Sequence, residues 1–289
     1  MITDVLSEAV LLATLALVAM PMIARKVRTA FRPTELTRFN ASTLGSGLVL
    51  LTVALIACAV PVILALTGTA LADRHFFPGD TAVGWISAGA VVTLVATAVI
   101  GITRTTRIER RLHIEPSVGL HLRRHDYTIV VLSSDNPIAY AVGHRHPQVV
   151  LTTGLISSLE VEELVSVVEH EAAHLQLNHR LHLRLISVVE PLSRIKPIEK
   201  LASSLRLALE LAADAATSNQ RATRTALLKT SGVAVVPGLA AFAAGDIIDR
   251  IEALDEEADT RSSGTRNALY LVAASLVAMS ISTLAVFWL

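Results

Sequence analysis

The sequence predicts a mainly α membrane protein, with four transmembrane helices and one cytoplasmic α+β domain that carries a small sheet. Three observations predict it. The chain of 289 residues is 52% hydrophobic and 17% charged, with a mean hydropathy of +0.56, which is too apolar for an ordinary soluble domain. Its apolar residues gather in four stretches, about 5–24, 44–71, 82–102 and 268–289. Between the third and fourth lies one long, more polar segment that alternates strand-like and helix-like patterns.

Each apolar stretch approaches or exceeds the ~20 residues that a helix needs to cross a ~30 Å hydrocarbon layer. Pro21 and Pro61 interrupt the first two as kink points, which neighbouring helices can accommodate. The first stretch lacks a basic leader and carries its positive charges behind it, so it reads as a retained span rather than a cleaved signal. Arg25, Lys26, Arg28, Arg32 and Arg38 follow the first stretch, Arg104, Arg107, Arg110 and Arg111 follow the third, and Arg261 and Arg266 precede the fourth. The loop around Asp73, Arg74, His75 and Asp80 carries little net charge. The positive-inside rule then places both termini outside a cell membrane and the long segment in the cytoplasm. The expected organisation is a membrane region over 1–103, a cytoplasmic catalytic domain over 104–266 and a fourth transmembrane helix over 267–289.

The net charge is zero, so there is no basic footprint for nucleic acid. The single cysteine, Cys58, rules out an intrachain disulfide and any zinc site built on thiolates. A metal must use histidines and carboxylates. A transporter is disfavoured because the four stretches contain almost no ionisable residue, and Glu8 lies near an end.

Within the polar segment, residues 127–132, 138–142 and 149–152 are β-branched and apolar and predict strands, with turn chemistry at 134–137. From 161 to about 189 the pattern is helical, with Glu160, Glu162 and Glu163 loading its first turn. Pro191 and Pro197 end it, and a second helix is expected over 198–217.

The first of these helices contains His170-Glu171-Ala172-Ala173-His174. Two histidines four apart lie one turn from each other on one face, which can bring two imidazole nitrogens to a single metal ion. Glu171 falls on the flank between them, placed to take a proton from a water at the metal. A catalytic zinc needs a third protein ligand. A histidine six residues past the motif is absent, since Arg180 occupies that position and Leu177 replaces the glycine that would precede it. Glu210 fits instead, because a carboxylate inside the apolar run 205–216 is costly unless paired. Asp214, one turn later, can accept from the outer N–H of a ligand histidine. The competing reading is a surface helix with two acids at i and i+4. His144 and His146 read as solvated loop residues; His113, His121 and His125 read as facing lipid headgroups or water. His179 and His182 continue the motif helix but turn off its metal-facing side, which leaves His179 at most a supporting role.

Together, His170-Glu171-Ala-Ala-His174, the preceding Leu151-Thr-Thr-Gly-Leu155 and Glu162-Glu163-Leu164, and the following Glu210-x-x-Ala-Asp214 resemble integral-membrane gluzincin metallopeptidases, whose catalytic domain is zincin-like. The likeness covers roughly residues 136–254, ending with Arg250-Ile-Glu-Ala-Leu254. It is nearer to the beta-lactam-sensor (penicillinase-regulator) membrane peptidases, with the HtpX and CAAX prenyl-protease branch as second choice. Three spans before the catalytic segment, one after it, and a gap of about forty residues between motif and third ligand favour the first. The resemblance implies one zinc ion held by His170, His174 and Glu210, with Glu171 as general base and Asp214 behind a ligand histidine. It implies a membrane-embedded zinc endopeptidase acting on a protein or peptide substrate at the cytoplasmic side of the bilayer, with a regulatory role. A drug-binding domain after the last span, as the sensor branch often carries, is not expected, because the chain stops at Leu289. No histidine precedes Arg250 between 232 and 249, so the group that would stabilise an oxyanion is unassigned. The alternatives are a quality-control or CAAX-type processing protease, and a non-catalytic zinc-binding membrane scaffold or sensor.

Overall fold

The computed structural model describes residues 2–66, 81–112, 114, 118–143, 146–230, 243–255 and 263–288. Readings that rest on His75, His113, His144, the loop 67–80, residues 232–242 and Arg261 lie outside them. Three long helices open the chain: α1 (Ile2–Lys26), α2 (Pro33–Leu66) and α3 (Thr81–Leu112), with a short 3₁₀ turn, Arg28–Ala30, between the first two. The last helix, α10 (Ser263–Trp288), closes it. Helices therefore stand at all four expected places. α1 runs on through Pro21, and α2 starts eleven residues before the expected 44 because Pro33 fits a first helical turn and Glu35 favours it. Among the described residues, two stretches are long and apolar enough to cross a membrane, Pro33–Ala57 and Gly84–Leu112.

The segment between α3 and α10 forms a four-stranded mixed sheet with helices around it. Its strands are β1 (Leu120–Arg123), β2 (Thr128–Leu132), β3 (Ala139–Val142) and β4 (Gln148–Thr152), in spatial order β1-β2-β4-β3. β4 pairs parallel to β2 and antiparallel to β3, and β1 pairs antiparallel to β2. β1 is the strand that sequence patterning missed. Its Leu120 and Leu122 stay exposed, and the arginines around it read as a headgroup-facing stretch. β4 is buried along its whole length because both of its faces are covered. On one side Ile129, Val149 and Leu151 pack under Leu155, Ala172 and Ala226; on the other Val130, Val142 and Val150 meet Leu112 and Ile114 at the end of α3.

β3 is a sheet edge, and the Leu151–Leu155 motif fixes its position. Thr152 Oγ1 donates to the Asn136 carbonyl at 2.6 Å and accepts from the Ile138 N–H at 3.0 Å. Thr153 Oγ1 accepts from Ser134 N–H and donates to Ser134 O, both at 3.0 Å. Gly154 closes the join, its N–H donating to Ser134 O at 2.8 Å. A Cβ there would sit 2.1 Å from the Asp135 carbonyl oxygen, so this close approach of two backbones requires glycine.

Five helices follow: α4 (Thr153–Ser158), α5 (Val161–Gln176), α6 (His179–Val189), α7 (Lys196–Asp214) and α8 (Gln220–Thr230); α9 (Ala243–Asp255) comes next in the described chain. The helix expected to continue from 161 to about 189 is two helices. Leu177 ends α5, and Asn178 adopts the left-handed conformation at φ 53°, which re-aims the chain before α6. Asparagine tolerates that conformation better than most residues. α7 is buried on two sides. Leu207, Ala208 and Leu211 pack on Leu17, Met20 and Ala24 of α1 and on Phe39 of α2, while Leu201, Leu205 and Leu209 pack on Leu44 of α2 and Ile186 of α6.

Gly154→Ala is expected to destabilise the domain by about 1–3 kcal/mol, the usual range for forcing atoms into a filled space. Thermal unfolding of the purified protein measures it, and an unchanged midpoint would contradict this approach of the two backbones.

Candidate metal centre

The site begins with the capping of α5. Glu160 and Glu163 form a reciprocal capping box, with the Glu160 N–H donating to Glu163 Oε2 at 2.9 Å. Lys229 of α8 reaches the same carboxylate at 2.7 Å. These contacts, Lys229 first, hold the Glu163 carboxyl below its usual range. The helix start is thereby tied to α8, and three turns later α5 presents His170, Glu171 and His174 to a cavity of about 510 Å³.

α7 supplies the opposite wall. Glu210 and Asp214 stand one turn apart on the one face of α7 that turns from the apolar packing towards α5. His170 Nε2 and His174 Nε2 lie 3.2 Å apart, and the Glu210 carboxylate oxygens lie 3.4 Å from the first and 3.6 Å from the second. Zinc at about 2.0–2.2 Å from tetrahedral N and O ligands spaces those ligands by about 3.3–3.5 Å. The three side chains therefore fit one such ion, and they form a group able to hold a metal. The donor set of two imidazoles and a carboxylate suits zinc. Glu171 lines the same cavity beside them.

The next layer of contacts holds these ligands still. His170 Nδ1 lies 2.9 Å from Asp214 Oδ1, close enough for an ion pair though not aligned as a hydrogen bond. Arg250 of α9 donates to both Asp214 oxygens, at 2.7 and 2.8 Å, and its Nη1 sits 3.0 Å from Glu210 Oε2. His174 Nδ1 faces His179 Nδ1 at 2.8 Å. Burial alone would raise the Glu210 and Asp214 carboxyls; the Arg250 guanidinium, then the neighbouring histidine, holds both below the ordinary carboxylate range. Burial works against a charged His170, but the Asp214 and Glu210 carboxylates outweigh it and raise the group to about 10. His174 is lowered, chiefly by burial. Burial also takes His179 down to about 3, helped by His174. With both α7 carboxylates ionised, Arg250 and a charged His170 balance them, so a metal ion bound there would take the place of the His170 proton.

All the residues read from the sequence as ligands, base or support therefore meet in one cavity: His170, His174, Glu210, Glu171 and Asp214. Arg180, at the position where another class of HExxH proteins carries its third ligand, makes a two-pronged pair with Glu109 of α3 at 2.7 and 2.9 Å. One expectation is corrected. His179 does not turn off the metal-facing side; it is 1% exposed and packs edge-on against His174, because the left-handed Asn178 swings it round. In the sequence Arg250 stands only inside a motif, with no role. Its partner Asp214 lies 36 residues away, beyond the reach of spacing rules.

Two imidazoles from an HExxH helix and a carboxylate from a second helix are the donor set that zinc hydrolases of zincin type use. Residues 103–239 match peptidase family M48, which is a family of zinc metallopeptidases. The match supports a zincin-type metallopeptidase of that family. No curated protein and no solved structure matches the chain.

Arg250→Ala leaves the buried Asp214 carboxylate without its guanidinium, beside the partly exposed Glu210, and is expected to cost about 3–5 kcal/mol of stability. Asp214→Asn tests the sign of the linkage. The Asp214 carboxyl is lowered from 3.8 in the fold, so its pairing stabilises above that value and is lost as pH falls through the lower folded one. The wild type should lose stability steeply below pH about 4, and the variant less so. Equal slopes in acid unfolding would contradict the pairing.

Proposed function

We propose that the chain is a membrane-embedded, zinc-dependent endopeptidase that hydrolyses peptide bonds of a protein substrate on the cytoplasmic side. The observation that carries this reading is the convergence of His170, His174 and Glu210 on one point, with Glu171 at the same cavity wall.

A zinc ion bound there would supply Lewis acidity, polarising the scissile carbonyl and making water acidic enough to react near neutral pH. Glu171 takes the proton of the attacking water and returns it to the amine as the C–N bond breaks. Asp214 and Arg250 keep His170 and Glu210 in place through this exchange. Residues 138–143 line the cavity, and among the described residues β3 pairs with β4 on one side only. Its other side offers backbone groups on which an extended substrate chain can lie. Because the histidines bind metal only when neutral, protons compete with the metal, and zinc affinity is expected to fall as the pH is lowered.

The membrane setting rests on exposed apolar side chains along all four long helices. Leu12 and Leu15 on α1, Val49 and Ile56 on α2, Val92 and Val95 on α3, and Leu271 and Ile281 on α10 are all exposed. An exposed apolar surface of this kind is suited to lipid. With the arginine bias of the loops, it supports four spans with the catalytic segment inside. Three helices before the site and one after it favour kinship with the sensor branch and a regulatory role.

Glu171→Gln should abolish peptide cleavage while retaining one zinc per chain; turnover at the wild-type rate would remove Glu171 from the mechanism. His174→Ala should lose both metal and activity, read by elemental analysis and a cleavage assay. Full zinc content in that variant would overturn the ligand set and leave the scaffold reading standing.

A further inference from the structure

We propose that His179 is a positioning residue that sets the tautomer and ring orientation of His174, through an imidazole–imidazole contact in place of the carboxylate that serves His170. The inference rests on the metal centre proposed above, and no motif assigns it.

His174 Nε2 is the atom that faces His170 Nε2 and Glu210. For that nitrogen to present a lone pair to a metal, the neutral ring must carry its proton on Nδ1. Among the described residues, the only partner of that Nδ1 is His179 Nδ1, at 2.8 Å. Two facing ring nitrogens at this distance share one proton, so His179 must be the acceptor and hold its own proton on Nε2. The edge-to-face stacking of the rings, 4.7 Å between centroids at 80°, fixes the direction of the contact.

Two further observations favour this role over simple packing. His179 is 1% exposed, and its Nε2 has no partner among the described residues. A buried ring with an unpaired nitrogen is a poor choice for filling space, where leucine would serve without loss. The backbone is also arranged for it. On a continuous helix a residue five past His174 would point well away from the metal, and the left-handed Asn178 removes that offset. The chemistry differs from that at His170 for an electrostatic reason. Glu210 and Asp214 already face a single guanidinium, and a third buried carboxylate behind His174 would be uncompensated. A neutral acceptor orients the ring without adding charge.

The test uses the full chain in detergent micelles and measures zinc affinity by competition with a chromophoric chelator. In His179→Asn the amide oxygen branches from Cγ as Nδ1 does, so the acceptor is retained. In His179→Gln the amide lies one methylene further out, near the place of Nε2, and in His179→Phe the acceptor is lost. His179→Asn is expected to stay within about threefold of wild type, and the other two to bind zinc about 10–100-fold more weakly. Three variants that bind alike, whether all tight or all weak, would overturn the proposal. A second pair leaves residue 179 untouched: Asn178→Gly, which accepts the left-handed backbone, should keep the affinity, and Asn178→Val, which does not, should lose it. Equal affinities in that pair would also overturn it. Wild-type protein that binds no zinc would refute the metal centre and this role together. A tight wild type with a flat series refutes only the role of His179.

Discussion

A charge inside an apolar helix has to be answered by another charge, and α7 is where this protein meets that constraint. The helix is covered by α1 and α2 along one flank and by α2 and α6 along another. Two carboxylates nevertheless project from it, and the side chain of Asp214 is only 3% exposed. They persist ionised because Arg250 and the imidazoles surround them. The same arrangement makes the pocket fit for a cation. Electrostatic compensation of α7 and the placement of the candidate metal ligands depend on the same contacts: a fold that failed to bring α5 and α9 to α7 would leave buried charges unpaired.

How much of this could be read in the sequence depended on whether the signal was local. His170, Glu171 and His174 obey helical spacing within one element. Glu210 and Asp214 stood out as acids in an apolar run. Three strands and the main helices were legible from period and turn residues. β1 was not, because its apolar residues stay largely exposed and a charged surface strand looks like a solvated loop. α2 starts before its apolar stretch and α3 runs past the end of its own, because hydropathy marks only the apolar part of a helix, whereas the helix itself continues until its hydrogen bonding stops.

The reading of His179 failed for an instructive reason. Periodicity assumes an unbroken helix, and one left-handed residue turns that assumption over. An asparagine directly ahead of a histidine at the end of the HExxH helix is the available sign. Asn is among the few residues that enter the left-handed region at low cost. Reading Asn178 as a chain reversal rather than as a helix interior would have placed His179 on the correct side.

The remaining question is what fixes Arg250, since the charge balance of α7 depends on it. The answer lies in its neighbours on α9. Asp249 accepts from Arg25 at 2.7 Å and lies 3.3 Å from Arg28, and Glu252 accepts from Arg28 at 2.8 Å. Arg224 of α8 holds Asp255 at 3.2 Å. Individually, such partly exposed pairs contribute little, roughly 0–1 kcal/mol each. Their importance is geometric. Arg25 ends α1 and Arg28 begins the turn after it, so the basic cluster that reads as a topology signal also grips the helix that carries Arg250. The first long helix and the carboxylates of the metal centre are thus joined through adjacent residues of one short helix. The geometry of the site is set jointly by the elements that carry its ligands and by the helix expected to anchor the chain in lipid.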